Sequence, residues 1–145
     1  MSTPFAFWDT SALIPLCVRQ KQSEPAKVLF ARYRVAVWWA TSVEIMSGLT
    51  RLERMNWIGR DQFLAGKQRG KSLAQIWDIV GPSATILARA YSLLELYPLR
   101  AADALQLAAA LDYFEDSPRG NVFIAADQRL ADAARQSGFS VEYIE

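Results

Sequence analysis

Short apolar runs alternate with helical segments along the whole chain, and this alternation limits the fold more than any other feature. Pro4–Trp8, Val35–Trp39, Asn121–Ala126 and Phe139–Ile144 are rich in β-branched and aromatic residues and read as strands. Between them, apolar residues recur at threes and fours in Ala12–Cys17, Gln22–Arg34, Thr41 to about Trp57, Ser83–Leu96 and Gln128–Gln136, which read as helices. Asp61–Gln75 reads as another helix, broken or frayed around Gly66 and Gly70, and Ile76–Val80 as a third strand or a loop. Gly81-Pro82 and Ser117-Pro118-Arg119-Gly120 punctuate the pattern as turns. The connections are long enough for parallel crossovers. The pattern predicts one α/β domain over residues 1–145, with a central sheet of four or five mostly parallel strands. Because helices outnumber strands, an all-helical domain is the structural alternative.

Within this pattern Pro98–Phe114, PLRAADALQLAAALDYF, reads as the organising helix. Its six alanines allow close packing at little entropic cost. Leu105, Ala108, Ala109 and Asp112 fall on one side, and Ala102 and Leu105 extend its apolar part. Asp103 stands in the first turn, with Gln106 beside it at i+3.

The residue inventory excludes several chemistries. There is no histidine, so no Ser-His-Asp triad, Cys-His pair or imidazole zinc site can form. Cys17 is the single cysteine, and it reads as a small hydrophobe inside an apolar segment. With no disulfide within the chain and no signal peptide in view, a reducing cytoplasm is the expected setting. No run is long and apolar enough to span a bilayer. Neither a G-x-G-x-x-G nor a P-loop follows the first strand, which argues against a dinucleotide-binding domain. The net charge of +1 conceals an asymmetry: residues 1–72 hold 11 Lys+Arg against 5 Asp+Glu, and residues 73–145 hold 5 against 10. A basic face toward a polyanion is one reading, and charges intermixed over one globule the other.

Four acids then stand out. Asp9 and Asp127 follow strands, and in open α/β sheets ligands bind outside the carboxyl ends of the strands. Glu44 and Asp103 lie in first helical turns, which face the same rim. Each has a plain structural role available. Asp9 and Asp127 suit helix caps, Glu44 closes a capping box with Thr41, and Asp103 answers the positive end of its helix. Gathered at one rim, however, four carboxylates repel one another and are costly to bury unpaired. A hard divalent cation, Mg²⁺ or Mn²⁺, would offset that cost, and the set would then suit phosphodiester cleavage.

The motifs FWDTSALIPL at Phe7–Leu16, ATSVEIMSGLTRL at Ala40–Leu52, LRAADALQLAAAL at Leu99–Leu111 and FIAADQRLADAARQSGF at Phe123–Phe139 carry a resemblance. In this order they resemble the PIN-domain family, and within it the VapC-type ribonuclease toxins of bacterial toxin–antitoxin pairs. The resemblance implies a three-layer α/β/α fold, a Mg²⁺ or Mn²⁺ centre and endonucleolytic cleavage of RNA. It implies Asp9, Glu44, Asp103 and Asp127 as the catalytic and metal-binding residues, a homodimer, and a small cognate antitoxin. Gln106 stands where many relatives carry histidine, and Ala125 where they often carry threonine or serine. A PIN-like module that acts by binding protein or RNA, without useful catalysis, is the alternative function.

Lesser candidates surround these four. Thr10 and Ser11 steady Asp9 or cap the next helix, and Arg100 meets a carboxylate, a phosphate or solvent. Arg51, Arg54, Arg60, Lys67, Arg69 and Lys71 form a basic tract suited to RNA backbone or to solvent. Trp8, Trp38 and Trp39 read as core or interface, leaving Trp57 and Trp77 as candidates for base stacking. Val35–Trp39 with Ile45–Leu52 offers apolar surface for a dimer. The helices at Gln22–Arg34 and Ser42–Trp57 offer a groove for an antitoxin helix, whose arginine or lysine would reach the four acids.

Overall fold

The computed structural model describes residues 2–145. Five parallel strands form one sheet: β1 (Phe5–Trp8), β2 (Arg34–Trp38), β3 (Asp78–Val80), β4 (Val122–Ala125) and β5 (Ser140–Tyr143), in the spatial order β3-β2-β1-β4-β5. Seven helices connect them: α1 (Thr10–Cys17), α2 (Ser23–Arg32), α3 (Thr41–Arg54), α4 (Arg60–Ala74), α5 (Ala84–Leu96), α6 (Ala101–Tyr113) and α7 (Gln128–Ser137). The result is a three-layer α/β/α domain. Among the described residues no helix is long and apolar enough to cross a membrane.

The period of two along each strand sorts side chains into two cores. Phe7, Ala36, Trp38, Phe123 and Ala125 face α5, α6 and α7, where Ile86, Leu93, Leu107 and Leu130 complete a buried cluster. Ala6, Trp8, Val35, Val37 and Ile124 face the opposite way, against α1 to α4, with Leu13, Ala26, Ile45, Leu49 and Phe63. Strands buried on both sides explain why these runs read as continuously apolar. From β1 the chain steps outward to β2 and β3. It then crosses to β4 on the other side of β1, so the strand order reverses between β1 and β4.

Several local expectations change. Helix α4 runs unbroken through Gly66 and Gly70. Gly66 is there for closeness: a Cβ would lie 2.8 Å from Val18 Cγ1 and 3.4 Å from the Cys17 carbonyl oxygen. Ile76–Val80 resolves into the short strand β3 at Asp78–Val80, paired only with β2. On α6 the buried side carries Ala104, Leu107, Ala108 and Leu111, while Ala102 and Asp112 are exposed and Leu105 is half-buried. The apolar surface offered for a dimer is consumed internally: Val35, Ala36, Val37, Trp38, Ile45 and Leu49 all lie in this chain's own cores, leaving Trp39 and Met46 exposed.

Candidate active site

The reversal of strand order places the carboxyl ends of β1 and β4 side by side, and such switch points form the ligand crevices of open α/β sheets. The Asp9 N–H donates to the Ile124 carbonyl at 2.9 Å, tying the residue after β1 to β4. Asp9 leaves the strand in an extended conformation and caps α1. Its Oδ2 accepts from the Ser11 N–H at 3.1 Å and from Ser11 Oγ at 2.5 Å. Ser11 Oγ in turn accepts from the Ala126 N–H at 2.9 Å. One serine therefore fixes the carboxylate on β1 against the backbone after β4.

Asp9 is buried, and burial pushes its carboxyl up to about 7. The nearby Glu44 and Asp103 charges push the same way, against the two Ser11 hydrogen bonds. Asp103, in the first turn of α6, is half-buried and also raised. Burial is the main cause and the Asp127 charge adds to it; the Arg100 N–H, at 3.4 Å, and the Arg100 and Arg129 charges oppose it. Asp127 caps α7, with Oδ1 accepting from the Leu130 N–H at 2.9 Å. The cap roles expected for Asp9 and Asp127 are thus real, and each engages only one of the two carboxylate oxygens.

Glu44 does not close a capping box. Thr41 is the first residue of α3, Ala40 is its cap, and no side chain caps that end. The Glu44 side chain turns inward instead. Its Oε1 accepts from Thr10 Oγ1 at 2.6 Å and from Gln106 Nε2 at 2.6 Å. Gln106 Nε2 also lies 3.1 Å from Thr10 Oγ1 and 3.3 Å from Thr41 Oγ1. Gln106 and Thr41 are fully buried, so α1, α3 and α6 meet in one polar knot beneath the acids. Sequence reasoning marked Gln106 but gave it no partner, and assigned Thr41 to a cap. The available signal was a primary amide within an alanine and leucine helix, since buried amides require partners.

The donor chemistry fits a hard divalent cation: carboxylate oxygens, hydroxyls and no nitrogen or sulfur ligand. Among the described residues, however, no three acidic side chains gather closely enough to form a ready metal cage. Cys17 plays no part. It is buried, and desolvation pushes its thiol up to about 11 despite the Arg69 charge. The basic tract is partly engaged in structure. Arg69 donates to the Cys17 carbonyl at 2.8 Å, and Arg60 pairs with Glu53 at 3.2 Å. Trp57 is exposed, whereas Trp77 packs against the core under α1 to α4.

Known proteins share this architecture. The family model described as "PIN domain" matches residues 6–136. A toxin-antitoxin complex from Klebsiella pneumoniae contains a chain with 22% identity and a TM-score of 0.61, over 86% of this chain and 88% of that one. A crystal structure from Pyrobaculum aerophilum has 18% identity and a TM-score of 0.63, over 96% and 90%. VapBC2 from Rickettsia felis, bound to a DNA fragment from their promoter, has 10% identity and a TM-score of 0.60, over 97% and 99%. No curated protein matches the sequence significantly. With the family model spanning the chain from β1 into α7, the chain belongs to the PIN domain family.

Proposed function

We propose that the chain is a Mg²⁺- or Mn²⁺-dependent endoribonuclease and the toxin of a type II toxin–antitoxin pair. The observation that carries this reading is the Asp9 carboxyl, buried at the switch point, where burial and the Glu44 and Asp103 charges disfavour its anion. A carboxyl so disfavoured as an anion is one that a cation would hold ionised. Asp9, Asp103, Glu44 and Asp127 are the residues that would hold the ion, directly or through water. When bound, such an ion activates water and stabilises charge developing on the scissile phosphate. Ser11 keeps Asp9 oriented through its N–H and its hydroxyl. The test is cleavage of purified RNA with Mg²⁺ or Mn²⁺ beside an EDTA control. Absence of metal-dependent cleavage by the pure protein refutes the enzyme.

The toxin assignment draws on the solved relatives, two of which are toxin–antitoxin proteins. An apolar groove of about 210 Å³ between α3 and α4, lined in part by Ile45, Met46, Leu49, Ala74 and Trp77, suits an antitoxin helix. A homodimer belongs to the same reading, and the exposed Leu87, Tyr91 and Leu94 along one side of α5 support it. So does a cytoplasmic setting, where the lone Cys17 stays reduced. The spread of the acids favours a second reading, a PIN-like module that acts by binding, and the same cleavage assay separates the two.

A further inference from the structure

Gln106 is out of place by the rules that govern its surroundings. It is 1% exposed on a helix otherwise buried through alanine and leucine. Its Oε1 has no hydrogen-bond partner among the described residues. A buried amide with one unmet acceptor is a structural cost that leucine or methionine at the same position would not carry. The Nε2 side, in contrast, is crowded, with Glu44 Oε1, Thr10 Oγ1 and Thr41 Oγ1 at 2.6, 3.1 and 3.3 Å. The amide orientation follows from chemistry, because a carbonyl oxygen 2.6 Å from a carboxylate oxygen would be repelled. Thr10 gives its only hydroxyl proton to Glu44, so toward Gln106 it can only accept.

We propose that Gln106, seated between Thr10 and Thr41, is a positioning residue that fixes the Glu44 carboxylate beside Asp9 at the carboxyl rim of the sheet. This rests on the nuclease reading for its consequence, but the geometry stands independently of it. Glu44 is a long, half-buried side chain that rotates freely unless something holds it. Two donors converge on its Oε1, one from α1 and one from α6, and leave its Oε2 free for an ion or a bound water. An amide suits the task because it donates without adding charge. A lysine there would neutralise the negative field of the acids, and a glutamate would add to their repulsion. The unmet Oε1 is the structural cost of placing a donor at this point.

The decisive variants are Gln106→Met and Gln106→Leu, which keep the bulk and remove the N–H groups. Three measurements are made on each beside the wild type: melting temperature in EDTA, Mn²⁺ affinity by calorimetry, and the position of Glu44 in a crystal structure. Expected are a melting temperature equal to or above the wild type, Mn²⁺ affinity at least tenfold weaker, and a Glu44 side chain turned away from Asp9. Thr41→Val, which removes only one flank of the seat, gives the same changes at smaller size. Glu44 in its wild-type position in a folded Gln106→Met crystal overturns the proposal, as does Mn²⁺ affinity within twofold of the wild type. If one variant fails to fold, the other and Thr41→Val still decide the matter. Wild-type protein that binds no Mn²⁺ and cleaves no RNA defeats the nuclease reading alone, and the position of Glu44 then decides the positioning role.

Discussion

Burial and, to a lesser degree, the Glu44 and Asp103 charges raise the Asp9 carboxyl from 3.8 to about 7, and that shift has a signed consequence. The folded state binds this proton more tightly than the unfolded chain. Its contribution to stability is fully present below pH 3.8 and is lost as pH rises through about 7. Asp9→Asn keeps the cap acceptor for the Ser11 N–H and removes the ionisation. In EDTA the variant should therefore melt several degrees above the wild type at pH 8, with the gap narrowing toward pH 5. A wild-type melting temperature that does not fall across this range, relative to Asp9→Asn, contradicts the burial account. The same substitution, and Asp103→Asn, should reduce RNA cleavage by at least about a hundredfold with circular dichroism unchanged, since preorganised charge of this kind is worth roughly 3–4 kcal/mol. Undiminished cleavage in both purified variants refutes their catalytic assignment.

Between the elements, glycines set how closely helices approach. Gly66 on α4 faces the stiff Val18 Cγ1 and the Cys17 carbonyl, neither of which yields easily. Gly66→Ala should cost about 1–2 kcal/mol, overpacking outweighing the gain in helix propensity. Gly48 on α3 faces only the Ile14 side chain, whose flexible Cδ1 end is the nearest atom. Gly48→Ala should be near neutral, because Ile14 can rotate while alanine gains up to about 1 kcal/mol of propensity. Urea unfolding of the two variants side by side measures the contrast, and equal losses would show that α3 is held as tightly against α1 as α4 is. Gly138 ends α7 at φ 113°, where its N–H bonds back to the Arg135 carbonyl at 3.0 Å. A side chain there is strained whatever the space.

For the whole molecule, the proposed pairing with an antitoxin has two physical components, an apolar groove and a negative rim. An antitoxin helix seated between α3 and α4, with an arginine reaching the acids, should silence cleavage on co-expression. Removal of rim charge by Asp9→Asn with Asp103→Asn should weaken that complex at least tenfold by calorimetry. Equal affinity would leave the groove as the only anchor. Light scattering at micromolar concentration should report twice the 16.3 kDa chain mass, and Leu87→Lys with Tyr91→Lys should return it to one chain. A single-chain mass for the wild type across that range defeats the dimer.

The local pattern by itself determined the alternation of strands and helices, the cap positions of Asp9 and Asp127, and the four acids worth placing. It could do so because period-two and period-three-to-four apolar spacing, strand ends and turn residues are short-range properties of the chain. It misjudged Gly66, since a break in helix propensity and a close helix approach look identical until Val18 and Cys17 are packed against the position. It misassigned the Thr41–Glu44 pair for the same reason. A threonine three residues before a glutamate satisfies the capping pattern, yet buried partners on α1 and α6 outcompete the local bond. The dimer surface failed likewise, because an apolar run does not reveal whether its own chain covers it. Only the tertiary structure decided that strand order reverses between β1 and β4, that Ser11 ties one strand end to the other, and that Gln106 reaches Glu44. These contacts span 62 to 115 residues of sequence, beyond the reach of any local spacing.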